Sequence, residues 1–285
     1  MATGYATFGA STYKNQSLLD DITYALDFLY ENIFNERVVD IYDSWWAWDI
    51  GAPQEVADTL ILTYGDLNKD TYQNMIRAID YFCPAPDRNN NSRNHAAYLF
   101  VGANRTWRSK IVILSGILQM NGEKVREGVD KLLPAFSMVD SGEGFYDGGT
   151  FKAHGDMTYS GGYGVTLLEQ VGQLFGLLAG SEDDISNADK KLLIKHVNKT
   201  YEPAIFKGQF LDMFRGREIS RSTSQSHTVA HRALRAIISI GYSANEPDRS
   251  RILGMVKDQI QQDTYRNIYT GANIEGVLNI KRLMS

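Results

Sequence analysis

Apolar residues recur at three- and four-residue steps along most of this chain, and that spacing leaves the α-helix as the structure of its bulk. In "LLDDITYALDFLYENIF", residues 18 to 34, Leu18, Ile22, Leu26, Leu29 and Ile33 share one helix face. Further stripes cover roughly 54–64, 69–82, 103–121, 123–133, 164–179, 187–199, 222–241, 248–263 and 274–284. The joints carry turn chemistry: "GAP" at 51–53, "CPAPDRNNN" at 83–91, "NG" at 121–122, "SGEG" at 141–144 and "GS" at 180–181. Short joints make successive helices antiparallel neighbours, so the expected class is all-α, as stacked helical hairpins or a toroid of them. Six prolines in 285 residues argue against a many-turned β-sandwich. Neither a fixed-period repeat nor a low-complexity linker interrupts the pattern, and residues 1–285 read as one domain.

Composition narrows the function classes. A net charge of −5 argues against holding nucleic acid by bulk electrostatics. Cys83 is the single cysteine, so no internal disulfide forms. No apolar run reaches the roughly 18 residues of a membrane span, and the opening "MATGYATFGA" has neither the basic nor the apolar region of an export signal.

The segments between the stripes hold the unusual residues: 35–53, 83–102, 136–163 and 202–221. Loops on a helical scaffold are where function concentrates. "DLNKD" at 66–70 begins like a calcium loop, but Thr71 replaces the required glycine and Arg77 the bidentate glutamate. His227 and His231 share a helix face in "HTVAH", which lacks the glutamate of the zincin motif, so they read as packed helix histidines and no metal is expected. No phosphate-binding loop, dinucleotide fingerprint or nucleophile elbow occurs, and no cofactor is expected.

Four groups of residues are left. "YDGGTFKAHGDMTYSGGYG", residues 146 to 164, sets His154 and Tyr163 in a glycine-dense stretch; the glycines would let backbone approach a sugar chain, with Tyr146 and Tyr159 as packing residues. "GANRTW" puts Asn104 at the start of a helix, where free N–H groups favour an anion. "RGREISR" gathers Arg215, Arg217 and Arg221 into a fork array suited to carboxylates or sulfates, the last two on one face if the segment is helical. "SWWAWDIG" offers Trp45 and Trp46 as stacking surfaces for flat ligands, with a buried cluster as the alternative.

Together these groups suit removal of a proton α to a carboxylate. The charge that develops must be neutralised by hydrogen-bond donors, which Asn104 supplies, while His154 and Tyr163 transfer protons. A tyrosine whose pKa is lowered by cationic neighbours can take the proton and return one to a leaving glycosidic oxygen. Hydrolysis would instead use two carboxylates, with Glu143, Asp147 and Asp156 as candidates.

"SWWAWDIGAP", "GANRTW", "DGGTFKAHGDMTYSGGYG" and "LDMFRGREISRS" resemble, in order and spacing, the polysaccharide lyase family of hyaluronate, chondroitin AC and xanthan lyases. The resemblance implies an incomplete α/α toroid of antiparallel helical hairpins whose cleft holds an acidic polysaccharide. It implies Asn104 as the carboxylate-neutralising amide, His154 as the histidine, and Tyr163 as general base and acid. Arg217 and Arg221 would hold the substrate, and Trp45 and Trp46 would orient the sugar, with Ser44 where several members have asparagine. The resemblance further implies an extracellular protein acting without a metal or cofactor on a uronic-acid-containing polymer. Family members carry earlier toroid helices and a following β-sandwich region, neither of which is expected in this chain. An acidic-glycan-binding toroid that does not cut, and a glycosidase on a similar toroid, are the alternative readings.

Overall fold

The computed structural model describes residues 1–89 and 99–285, so the end of the Asn-rich run at 83–91 lies outside the described residues. The expected all-α class is found. The described residues gather into two compact units, Met1–Phe100 with Trp107–Leu132, and Val101–Thr106 with Leu133–Ser285.

The first unit holds α1 (Ala2–Ala6), α2 (Gln16–Asn32), α3 (Ala52–Leu62) and α4 (Lys69–Phe82), the larger part of α5 (Gly102–Leu118), and α6 (Gly122–Leu132). Asn15 and Asn68 cap α2 and α4, their side chains accepting the N–H of Leu18 and Thr71. Asn68 and Thr71 belong to the rejected calcium motif, which here serves as a helix start. The α2 stripe buries Leu19, Ile22, Leu26 and Tyr30, and α4 buries Met75, Ile76, Ile79 and Phe82. Phe34 stacks on Phe82 with ring centroids 4.5 Å apart. Each such side chain removed from water contributes about 1.5–3 kcal/mol, so helical spacing and core formation are one requirement.

The second unit holds α7 (Val165–Leu178), α8 (Asn187–His196), α9 (Ser226–Tyr242), α10 (Asp248–Gln262) and α11 (Ile274–Met284). Helix α9 packs against α7, α10 and α11. Gly172 permits the close approach of α7 to α9, since a Cβ there would lie 3.0 Å from the Ala236 carbonyl oxygen. The glycine-dense stretch differs from the long loop expected of it. It forms a three-stranded antiparallel meander of β1 (Gly144–Phe145), β2 (Phe151–Ala153) and β3 (Met157–Thr158), pairing Phe145 with Phe151 and Ala153 with Met157. The chain then makes a wide turn over Ser160–Gly164 into α7, the Gly164 N–H reaching back to the Tyr159 carbonyl at 3.1 Å. A two-residue hairpin, β4 (Ile205–Phe206) and β5 (Gln209–Phe210), leads into the arginine segment. No helix among the described residues is long and apolar enough to cross a membrane.

Candidate active site

His154 stands at the tip between β2 and β3 with φ of 52°, and Gly155 follows at 82°. Left-handed backbone at a residue with a Cβ costs about 1–2 kcal/mol, and such strain collects at functional sites. The tip is held by the Gly155 N–H, which donates to the Glu143 carboxylate at 3.2 Å. The exposed imidazole meets Tyr163 edge to face, centroids 4.5 Å apart at 79°. Tyr159 completes a three-ring cluster, 5.3 Å from Tyr163 and 6.0 Å from His154.

Tyr159, read from the sequence as a packing residue, anchors the arginines. Its ring is fully buried and its hydroxyl donates to Glu218 at 2.6 Å while accepting from Arg217 Nε at 3.1 Å. Glu218 also pairs with Arg221 at 3.1 Å. One phenol and one carboxylate thereby hold both exposed guanidiniums. Burial and the adjacent Glu218 push the Tyr159 phenol up to about 12. Burial opposes the charge on Glu218, but the Tyr159 hydrogen bond and Arg221 hold its carboxyl below the ordinary value.

The arginine array differs from the sequence expectation in two ways. Arg215 is buried and bonded to Asp212 and the Ser224 carbonyl, so it is a strut. Gly216–Ser220 is a short 3₁₀ turn and Arg221 is extended beyond it, so Arg217 and Arg221 do not share an α-helical face. The Tyr163 phenol also departs from expectation. Burial raises its pKa above the ordinary value, and the charges of Arg217 and Arg221 lower it only in part. The free protein holds this phenol protonated at neutral pH.

Asn104 is the third residue of α5 and belongs to the same unit as His154 and Tyr163. Its Oδ1 is buried without a hydrogen-bond partner among the described residues. A buried acceptor left unsatisfied costs about 1–3 kcal/mol; a hydroxyl can donate to this oxygen, whereas only the Asn104 Nδ2 amide can donate to a carboxylate. Two residues earlier, Gly102 at φ 50° packs on Phe151 of β2; a Cβ there would lie 3.4 Å from Cζ. The start of α5 is thus set against the strand that leads to His154.

Trp45 and Trp46 belong to the first unit, each 37% exposed. Trp45 packs on Phe100 at 5.4 Å and Trp46 edge-on against Trp107 at 5.4 Å. The sequence did not single out Arg108, which has no exposed surface and fixes this segment. It donates to the carbonyls of Asp49 at 3.0 Å, Ala85 at 2.9 Å and Arg88 at 2.7 Å. Of the carboxylates considered for hydrolysis, Asp147 is paired with Lys199 at 2.9 Å, which lowers its pKa, the opposite of what a general acid requires. Asp156 pairs with Lys152 on the exposed hairpin tip, and Glu143 braces that tip.

Residues 1–258 match the family model described as polysaccharide lyase family 8, N terminal alpha-helical domain. The chain belongs to this family. It is 31% identical over 286 aligned residues to a xanthan lyase of Bacillus sp. (strain GL1), covering 100% of this chain and 30% of that protein. It is 27% identical over 266 residues to a hyaluronate lyase of Thermasporomyces composti, covering 93% of this chain and 32% of that protein. Its fold matches a solved Streptomyces coelicolor A3 chondroitin AC lyase in complex with chondroitin sulphate. That match has a TM-score of 0.89 at 27% identity, over 99% of this chain and 39% of that one. The chain therefore spans about a third of the length of these relatives.

Proposed function

We propose that this chain carries the catalytic groups of a polysaccharide lyase that cleaves a uronic-acid-containing polymer, hyaluronan, chondroitin or xanthan, by metal-independent β-elimination. The observation that carries the reading is the contact of the His154 imidazole with the Tyr163 phenol, beside arginines whose charges reach that phenol. Asn104 neutralises the uronate carboxylate, which makes the hydrogen on the adjacent carbon acidic enough to remove. Burial holds the phenol protonated in the free protein, so the cycle begins when His154 takes that proton. The Tyr163 phenolate then removes the ring proton. The electron pair left on carbon forms a double bond as the glycosidic C–O bond breaks, and the phenol returns the proton to the leaving oxygen. Arg217 and Arg221, held by Tyr159 and Glu218, keep the sugar beside the phenol. Trp45 and Trp46, partly exposed on the first unit, present stacking surfaces to a sugar ring. Because such polymers are met outside the cell, we place the protein there.

The test incubates the full-length protein with hyaluronan, chondroitin and xanthan and follows the ultraviolet absorbance of the unsaturated uronate. Tyr163→Phe keeps the ring and should lower turnover by about 10³-fold with binding nearly intact. A protein silent on all three polymers, or a Tyr163→Phe protein with ordinary turnover, would refute the reading. Hydrolysis would yield product without unsaturation, and a binding toroid would show salt-sensitive binding with no product.

A further inference from the structure

Behind the arginine segment, the first turns of α9 meet the end of α10 through three side chains outside the proposed elimination. His227 Nδ1 lies 3.2 Å and His231 Nε2 2.7 Å from the same carboxylate oxygen, Oδ2 of Asp263. One ligand atom from each residue lies within 4.8 Å of the others, and the side chains are 9%, 2% and 2% exposed. From these positions we propose that His227, His231 and Asp263 form a binding site for a divalent transition metal of the zinc class.

Several features support the assignment. The two imidazoles are four residues apart on one helix, which aims both rings the same way. The third donor is 32 residues beyond His231, so no motif search over "HTVAH" would find it. Asp263 is oriented by its other oxygen, Oδ1, which accepts the N–H groups of Tyr265 at 2.8 Å and Arg266 at 3.0 Å. That support leaves Oδ2 to face the imidazoles, the outer-shell arrangement that fixes a ligating carboxylate. Tetrahedral zinc with bonds near 2.0–2.1 Å sets its donors roughly 3.3 Å apart; His227 Nδ1 already stands at that separation from Oδ2, and His231 Nε2, at hydrogen-bond distance, would draw back by about half an ångström to admit the ion. Two imidazoles and one carboxylate select zinc, copper or nickel over magnesium or calcium.

Arg235 and Arg266 lie near His231 and disfavour added positive charge at the site. Tyr265 flanks the cluster on its solvent side. Its ring lies 4.6 Å from that of His227, tilted by 31°, and is 82% exposed. The bound ion would clamp the segment that carries the arginines. Helix α9 begins just after Arg221, and Gly208 in the turn between β4 and β5 presses on the same carboxylate, where a Cβ would lie 2.2 Å from Oδ2.

The test strips the purified protein with a chelator and titrates it with Zn²⁺ against a chromophoric competitor. One equivalent should bind and raise the melting temperature, and Co²⁺ should give the visible absorption of a tetrahedral site. Asp263→Asn and His227→Gln should each weaken binding about a hundredfold or more. Circular dichroism checks that each variant is folded, and His227→Gln, at the more exposed edge, is the variant kept if Asp263→Asn unfolds. Absence of zinc binding by the folded wild-type protein, or equal binding by a folded variant, would overturn the proposal and leave a hydrogen-bonded clamp. None of these readouts depends on lyase activity, so they fail or succeed separately from the elimination reading.

Discussion

Two aromatic segments enter helices through the same kind of wide turn, Ala47–Gly51 before α3 and Ser160–Gly164 before α7, and they differ in what lies over the turn. In the first, Gly51 sits under the Trp46 ring, where a Cβ would be 2.8 Å from Cζ3, and that ring is 37% exposed. In the second, the fully buried Tyr159 ring presses on Gly162 and Gly216, with Cβ distances of 2.0 Å and 2.7 Å. Gly161 lies under Arg215 and Phe210, and Gly164 under Tyr201 and Phe151. The turn glycines of the second segment therefore meet the protein's own side chains, not a sugar chain as the sequence suggested. A ring that must be buried and immobile requires glycine beneath it on several sides, whereas a ring that can move requires it on one.

The largest effect is expected at Gly162. In Gly162→Ala the new methyl overlaps Tyr159, which cannot move without releasing Glu218 and Arg217. Overpacking of this kind costs about 3 kcal/mol, to be read as a shift in denaturant midpoint at unchanged slope. A variant of wild-type stability would mean that the ring is not fixed where we place it.

Acid should separate the two units. His196 is buried, stacked on Phe145 at 3.9 Å and bonded through Nε2 to the Phe136 carbonyl oxygen at 2.6 Å. Burial lowers its pKa from 6.5 to about 4. Folding thus favours the neutral ring; this stabilisation is full above pH 6.5 and disappears as pH falls through 4. The interval amounts to about 3 kcal/mol. All the tryptophans, 45, 46, 48 and 107, lie in the first unit, which has no histidine among its described residues. Between these pH values, loss of tyrosine near-ultraviolet dichroism should precede any change in tryptophan fluorescence. Coincident transitions would count against His196 as the trigger.

Tyr159→Phe removes one oxygen and takes one donor from the buried Glu218 carboxylate, which keeps its pairing with Arg221. The expected loss is about 2 kcal/mol, with turnover falling because Arg217 loses its acceptor. Restoring the balance with Glu218→Gln in the same chain should recover part of the stability and little of the turnover. Full recovery of both would reduce Tyr159 to a packing residue.

The helices were legible because burial on one face imposes a period that the sequence displays. The stripe at 69–82 is α4 (Lys69–Phe82), and that at 274–284 is α11 (Ile274–Met284). The stripe at 222–241 begins early, since α9 starts at Ser226 after a turn that keeps Arg221 extended. Strands of two or three residues are too short to show alternation, so the meander was read as a loop. Asn104, His154 and Tyr163 were legible as chemical types, but the division between Tyr159 as anchor and Tyr163 as the exposed-side phenol was not. That division depends on Glu218, 59 residues beyond Tyr159. Arg108 and Asp263 were missed for the same reason, because their partners are distant along the chain.

The smallest effect is expected where the comparison predicts slack. In Gly51→Ala the added methyl meets Trp46 at 2.8 Å, but that ring is partly solvated and edge-on to Trp107, so it can tilt outward. Replacing glycine by alanine next to a helix start also reduces the freedom of the unfolded chain, a stabilising contribution of about 0.4–1 kcal/mol that offsets the clash. The net loss should be about 1 kcal/mol or less, read from the denaturant midpoint, with a shift in tryptophan emission as Trp46 changes its exposure. If Gly51→Ala instead destabilises as strongly as Gly162→Ala, Trp46 is as fixed as Tyr159. The first segment would then be a rigid wall and not an adjustable surface for a sugar ring.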